Sequence, residues 1–264
     1  MAMTTTLLMG QMTPQEAAKI EAENPLVKEW NTPFQTPPFN SIKTEHYKPA
    51  MLYAIEQAKQ EVNAIIVNRA RPDFENTIVA LERAGGLLNR ISGVFFNINE
   101  CMTSDQLQQI YMEIIPDLTA YGNDVSMNPL LFAKVKEVYD QRDDIALTTE
   151  QRMLLEKTYK SFIRSGALLE GAAKEEYRKV SEELSMLTNQ YQMNVLAEQN
   201  AFFLNITNKK DLAGLPDYVI AAAREEAKAR KQKGWTFTLQ YPSFSPFMQY
   251  ADNRDLREKM WRAS

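Results

Sequence analysis

The chain has 264 residues, of which 44% are hydrophobic and 24% are charged, an ordinary composition for a folded globular protein. Only 9 residues are glycine, below the usual share of about 7%, and this shortage favours long helices over turn-rich β folds. With 30 Lys and Arg against 34 Asp and Glu, the net charge of -4 argues against a nucleic-acid partner. No apolar run reaches the ~20 residues of a membrane span, so no membrane partner is predicted either.

The rarest residues limit the chemistry most strongly. Cys101 is the single cysteine and His46 the single histidine, so neither an intrachain disulfide nor a Cys/His zinc site can form. The two-histidine motif H-E-x-x-H is absent for the same reason. We predict no catalytic, cofactor-binding or metal-binding residue in this chain. His46 is interpreted as a hydrogen-bonded structural histidine at a helix start, and Cys101 as a small, half-buried residue.

The beginning of the chain is predicted to be a tail followed by a short helix, together residues 1–23. Residues 1–10 lack the basic segment of a signal peptide. Thr13, Pro14 and Glu16 then form a helix-start pattern, with a capping residue, a first-turn proline and an acidic residue three positions after the cap. One unpaired cysteine and no clear leader predict a cytoplasmic protein, or a periplasmic one if a leader has been removed.

A proline-rich segment follows. Pro33, Pro37 and Pro38 exclude a regular helix or a central strand, and Phe34 and Phe39 lie between and after them. The segment is interpreted as an extended strap whose aromatic side chains hold it against a helical body.

Most of the remaining chain has apolar residues at every third or fourth position, the spacing of amphipathic helices. Gly85 and Gly86 fall inside one such run and are expected to permit close helix packing, and Pro116 is expected to kink or split another. The longest helix is predicted from about residue 173 to 200. Its expected buried face consists of six apolar residues: Tyr177, Val180, Leu184, Leu187, Tyr191 and Val195.

Two segments break the helical pattern. Residues 201–206 are short, aromatic and β-prone, and residues 235–241 alternate between large apolar and polar side chains, so both are predicted strands of one small sheet. The helix between them, which Gly234 is expected to stop, leaves both parallel and antiparallel pairing open. The predicted fold class is mainly α: a multi-helix antiparallel array with one small β element.

Charged runs are interpreted as solvated helix surfaces. The basic run at residues 228–233 is too short and isolated to indicate nucleic-acid binding, and the pairs Glu175-Glu176 and Glu182-Glu183 are equally ordinary surface charges. The last helix reaches Ser264 without a stop signal, which favours a fragment of a longer protein.

Several segments together resemble the N-terminal part of the thimet-oligopeptidase-like zinc metallopeptidases, and within that family are most similar to bacterial peptidyl-dipeptidases (dipeptidyl carboxypeptidases). The resemblance extends from about residue 24 to 264, and the order and spacing of the segments carry it more than any one of them. The segments are residues 37–50 (PPFNSIKTEHYKPA), 72–82 (PDFENTIVALE), 87–96 (LLNRISGVFF), 212–216 (LAGLP), 241–248 (YPSFSPFM) and 254–259 (RDLREK).

The resemblance implies that residues 24–264 are the N-terminal helical lobe of a clamshell-shaped peptidase, truncated before the catalytic zinc domain. It implies zinc in the parent protein and none in this chain, short unfolded peptides as substrates, and the missing C-terminal lobe as partner. In the family, the zinc ion activates water and the glutamate of H-E-x-x-H acts as general base. Two alternatives stay open: endo-cleavage of the oligopeptidase A type, and a stand-alone helical interaction protein without a catalytic lobe.

Overall fold

The computed structural model describes residues 12–264 and confirms the mainly α fold with one small β element. The described chain forms two compact units, the first ending at Met186 and the second comprising Leu187–Ser264. None of the helices in the described part combines the length and apolar character that crossing a membrane requires. The predicted tail at residues 1–11 lies outside the described residues.

The elements in chain order are α1 (Pro14–Glu23), α2 (Thr44–Val67), α3 (Ala80–Arg83), α4 (Gly86–Cys101), α5 (Asp105–Ser126), α6 (Pro129–Asp140), α7 (Thr149–Arg164), α8 (Gly171–Ala201), β1 (Phe203–Ile206), α9 (Asp217–Ala229), β2 (Trp235–Thr238), α10 (Tyr241–Tyr250) and α11 (Arg254–Ala263).

Many helices begin where a side chain satisfies the free backbone N–H groups of the first turn. Thr13 and Glu16 form the predicted capping box of α1: the Thr13 hydroxyl accepts from the Glu16 N–H, and the Glu16 carboxylate accepts from the Thr13 N–H. Thr148 caps α7 in the same way. Such caps contribute about 1 kcal/mol each, and the helix start predicted at Thr13 agrees with the structure because its signal is local.

Helix α2 is the centre of the first unit. Met51, Ile55, Ala58, Val62 and Ile65 are all buried, as their spacing predicts. The helix packs against α4 and α5, which contribute further buried aliphatic and aromatic side chains. Burial of this stripe stabilises the first unit, since each buried aliphatic side chain contributes about 1.5–3 kcal/mol.

A second core cluster in the same unit joins the end of α2 to α6, α7 and a single π-helical turn at Phe74–Val79. Its aromatic rings stack closely: the Tyr139 and Tyr159 ring centroids lie 3.8 Å apart, and the Arg142 guanidinium lies over Tyr139. The buried side of α6 consists of Leu131, Phe132, Val135 and Val138.

The expectation that both glycines lie inside one helical run is wrong for Gly85, whereas Gly86 is the first residue of α4. Gly85 adopts a left-handed backbone with φ of 77° and separates α3 from α4. Its N–H donates to the Glu61 carboxylate at 2.7 Å, so the break is held by a contact with α2. Helical periodicity continues across the break, and for that reason the pattern of apolar residues conceals it. Pro116, by contrast, lies within α5 without splitting it.

The strap interpretation is only partly correct. The segment is irregular, with a short 3-10 turn at Pro33–Gln35, but Phe34 is 99% exposed and Phe39 is 53% exposed. These two rings therefore do not hold the segment to the helices. The stretch just before this segment is held by the Arg90 side chain: one of its Nη atoms lies 3.0–3.2 Å from the carbonyl oxygens of residues 26, 27 and 28.

The second unit contains the small sheet. Strands β1 and β2 are antiparallel, with Phe203 opposite Thr238 and Ile206 opposite Trp235, and β2 ends before Tyr241, which begins α10. Gly234 does not stop α9, because the helix already ends at residue 229 and Lys231 takes the left-handed conformation.

Gly234 is needed for a different reason. A Cβ atom there would lie 2.1 Å from the Ile206 carbonyl oxygen, so only glycine lets the two strands approach.

Helix α8 differs most from expectation. Its bounds agree with the prediction, but its apolar face is not buried: Val180, Leu184, Leu187 and Tyr191 are 53–69% exposed and Val195 is 38% exposed. Asn189 is the only buried residue of this 31-residue helix. A helix with so little tertiary packing lacks the main source of helix stability in proteins.

Candidate functional site

His46 has a structural role in the described chain. It lies in the first turn of α2, where its Nδ1 accepts the Lys43 backbone N–H at 3.0 Å. Its carbonyl oxygen accepts from the Asn24 side chain at 2.8 Å, and the Asn24 Oδ1 accepts the Leu26 N–H in turn. The imidazole therefore caps the start of α2, and its hydrogen bonds within the described chain involve neither a nucleophile nor a carboxylate that would orient it for catalysis.

Cys101 is the last residue of α4 and is exposed rather than half-buried. The position is a helix C-terminus, where the backbone dipole is negative and offers no N–H groups to a developing anion. The geometry around Cys101 therefore supports no catalytic role.

The charged runs lie on solvated surfaces, as interpreted. In the basic run, Lys228 pairs with Glu225 at 2.6 Å and Arg230 pairs with Glu226 at 2.6 Å, both within one turn of α9. Arg230 also lies over the Phe203 ring at the end of β1. Pairs of this kind neutralise a basic patch locally, so the run does not present a continuous positive surface.

The residues of the described chain do not provide a binding site for a zinc ion. Catalytic zinc is held by three protein ligands drawn from His, Cys, Asp and Glu. Within residues 12–264 there is no group of three such side chains placed to hold a metal ion. The Nδ1 of the one histidine is already occupied by a backbone N–H. No step of a zinc mechanism can therefore be assigned to a side chain of this chain.

The first unit has a cleft of about 290 Å³ between the π-helical turn and the loop after α6. Phe74, Val138 and Leu147 supply its apolar wall, while Asp73 and Gln141 supply polar groups. Asp73 already accepts the Asn76 N–H and Gln141 accepts from Arg71, so these groups stabilise the cleft wall. Glu75 also lines the cleft, and one exposed carboxylate beside an apolar wall does not define a chemistry.

The feature that sequence reasoning missed is the exposed face of α8. The spacing of its apolar residues predicts a buried face, but spacing alone does not show whether another element packs against that face. A second signal was present in the sequence: residues 187–197 (LTNQYQMNVLA) contain no charged side chain. Surface helices normally carry charged residues on the face away from the core, so this composition is unusual for a solvated segment.

Comparison with curated proteins shows that the chain is similar to peptidases over nine tenths of its length. Oligopeptidase A of Salmonella typhimurium is 33% identical over 240 residues, which are 91% of this chain and 35% of that protein. Dipeptidyl carboxypeptidase of Escherichia coli is 33% identical over 244 residues, again 91% and 35%. A probable cytosolic oligopeptidase A of Arabidopsis thaliana is 26% identical over 249 residues.

These matches confirm the resemblance to the thimet-oligopeptidase-like peptidases. The chain spans about a third of the length of the relatives it matches. Oligopeptidase A and dipeptidyl carboxypeptidase match at the same identity, so identity does not separate the two types. A scan against protein-family models finds no match.

Proposed function

We propose that this chain is the N-terminal helical lobe, residues 24–264, of a zinc-dependent peptidase that hydrolyses short peptides. The observation that carries the proposal is the 33% identity between this chain and two kinds of peptidase. The identity extends over 91% of this chain but over only about a third of each of those peptidases. A region of that size is large enough to fold, and about two thirds of a full-length peptidase would remain for the catalytic part. The zinc site then belongs to the part of the peptidase beyond this chain.

In this proposal the lobe forms one wall of the substrate channel and is catalytically inert alone. The absence of a metal-ligating group within residues 12–264 is consistent with a supporting role for this part of the enzyme. A wall can contribute specificity without chemistry, because it limits which peptides reach the zinc. The reaction we assign to the whole protein is release of dipeptides from peptide C-termini, in the cytoplasm or, after removal of a leader, in the periplasm.

The test is peptide hydrolysis, with and without a zinc chelator, by this chain and by the product of the whole natural reading frame. We expect chelator-sensitive release of C-terminal dipeptides by the long form and no turnover by the short one. Mass spectrometry of the products separates dipeptide release from internal cleavage, which would indicate the oligopeptidase A type. Turnover by the 264-residue chain itself would contradict the proposal, and His46 would then be the first residue to substitute.

A second candidate is a stand-alone helical interaction protein that keeps the peptidase scaffold. The lack of a metal-ligating group in the described chain favours it as an alternative. Reading the natural frame past codon 264 separates the two, since a downstream H-E-x-x-H codes for a peptidase and an immediate stop codon does not.

A further inference from the structure

Three side chains on the second unit's part of α8 form an exposed apolar stripe. Leu187, Tyr191 and Val195 lie four residues apart, so they share one face of the helix, and they are 59%, 69% and 38% exposed. We refer to these three residues as the α8 stripe. Leucine and tyrosine side chains exposed to this degree in succession leave apolar surface in water, and its burial would be favourable.

The surroundings of the stripe have the composition of an interface core. Residues 187–197 include no charged side chain, although charged residues make up 24% of the whole chain. Polar groups beside the stripe are amides and the Thr188 hydroxyl, and two of the amides pair along the helix, since Gln190 donates to the Asn194 Oδ1 at 2.9 Å. The core of a protein interface is likewise poor in charge and rich in aromatic residues, because burying an unpaired charge is costly.

The size of the stripe argues against a second copy as its occupant. From Leu187 to Val195 the helix rises roughly 12 Å, and a helix is about 10 Å wide, so the face offers on the order of 100–200 Å². A stable complex between separate chains needs about 800 Å² per partner. A segment joined to the same polypeptide needs far less, because a linked segment is present at an effective concentration on the order of millimolar.

We infer that the α8 stripe is a docking face for the polypeptide that follows this chain in the full-length peptidase. The inference rests on the proposed function, and it adds the place where the remainder of the enzyme packs. In the relatives, about two thirds of the length lies outside the region that matches this chain. A long further polypeptide of this kind would be able to cover the stripe. Packing on the stripe would bury its apolar side chains and hold α8 in its helical form.

The test is cysteine labelling in the short chain and in the product of the whole reading frame. Cys101→Ser removes the exposed native thiol of this chain, and Leu187→Cys or Tyr191→Cys then places one on the stripe. Tyr218→Cys is the matched control, because Tyr218 is 65% exposed on α9 of the same unit. Maleimide labelling at each position is followed by peptide mass spectrometry.

We expect stripe positions to label fast in the short chain and at least about tenfold more slowly in the long form, with a smaller change at Tyr218→Cys. Equal labelling of the stripe in both forms would overturn the inference, and so would an equal fall at the control position. Slow labelling that speeds up on dilution of the short chain would assign the stripe to a second copy and overturn it too.

Peptidase assays on the same proteins keep the two proposals apart. Protection of the stripe in a long form without peptidase activity would support the docking face and contradict the proposed function. Peptidase activity in a long form whose stripe cysteines still label fast would support the proposed function and contradict the docking face. A stop codon directly after codon 264 would overturn both.

Discussion

At the scale of single residues, a few polar side chains connect segments that are far apart in sequence. Arg90 is the clearest case. One of its Nη atoms lies against three carbonyl oxygens of residues 26–28, and its guanidinium lies 4.7 Å from the centre of the Trp30 ring. It thereby attaches the segment before the proline-rich turn to α4. The planar guanidinium suits this position, because it can donate in its plane and stack through its face.

Arg90→Lys is expected to lower the unfolding free energy by about 1–2 kcal/mol, because an ammonium group cannot both donate to several carbonyls and stack on an indole. Urea unfolding followed by circular dichroism measures the change. Arg83→Lys, an exposed position on α3, is the matched control and is expected to stay within about 0.5 kcal/mol. Equal losses for the two variants would contradict the assigned role of Arg90.

Glu113 joins α5 to α2 through its carboxylate. Hydrogen bonds from the Lys48 ammonium at 2.7 Å and the Gln109 amide at 3.0 Å, with the Lys48 charge, lower the pKa of Glu113 from its ordinary value of 4.5. Because the folded pKa lies below the unfolded one, the contact stabilises the fold above pH 4.5. Its contribution is lost as the pH falls through the lowered folded value.

The difference in unfolding free energy between the native chain and Glu113→Gln is therefore expected to shrink as the pH is lowered from 7 to 3. Glu82→Gln, on α3, removes a charge without removing this contact and serves as the control. A difference that stays constant over the whole pH range would show that the Lys48–Glu113 contact does not contribute.

At the scale of elements, sequence predicted helix positions well and helix surroundings poorly. Helix starts were predictable because their signals are local, as with Thr13 and Thr148, which cap the helices that they precede. The break at Gly85 was not, because the left-handed residue depends on a hydrogen bond to Glu61 from a different helix. The antiparallel pairing of β1 and β2 was equally undetermined, since strand direction is set by tertiary packing.

Gly85 and its neighbour Gly86 form a matched pair for testing that break. Gly85→Ala is expected to destabilise the chain by about 1–2 kcal/mol, because alanine is strained at φ of 77° even though its Cβ would meet only ordinary contacts. Gly86→Ala has open space around its Cβ and lies in α4, so it is expected to be neutral or to stabilise by up to about 1 kcal/mol. Thermal and urea unfolding of the two variants compare them; similar effects from both would contradict the conformational argument.

At the scale of the whole molecule, burial is unevenly distributed. Helix α2 has nine buried residues, whereas the longer α8 has one. Among residues 12–264 no group of side chains is placed to hold a metal ion, and the unusual surface lies on α8, a long helix with a single buried residue. Sequence could indicate the peptidase relationship and the lack of a two-histidine motif, but exposure depends on which elements surround α8.

Hydrogen exchange should reproduce this distribution. In the 264-residue chain, amides in the middle of α2 are expected to exchange at least about a hundredfold more slowly than those in the middle of α8, because local opening of an unpacked helix costs little free energy. Exchange followed by mass spectrometry of peptides from both helices measures it. Equal protection in the two helices would contradict the exposure described for α8.

The division of the cores along the chain has a consequence for synthesis on the ribosome. Two of the three core clusters draw only on residues 26–162, and the third only on residues 206–260. At roughly 5–20 residues per second, translating Leu187–Ser264 takes on the order of 4–16 seconds, whereas helical domains with local contacts fold in microseconds to milliseconds. The first unit can therefore complete its core during translation, long before the sheet of the second has been made.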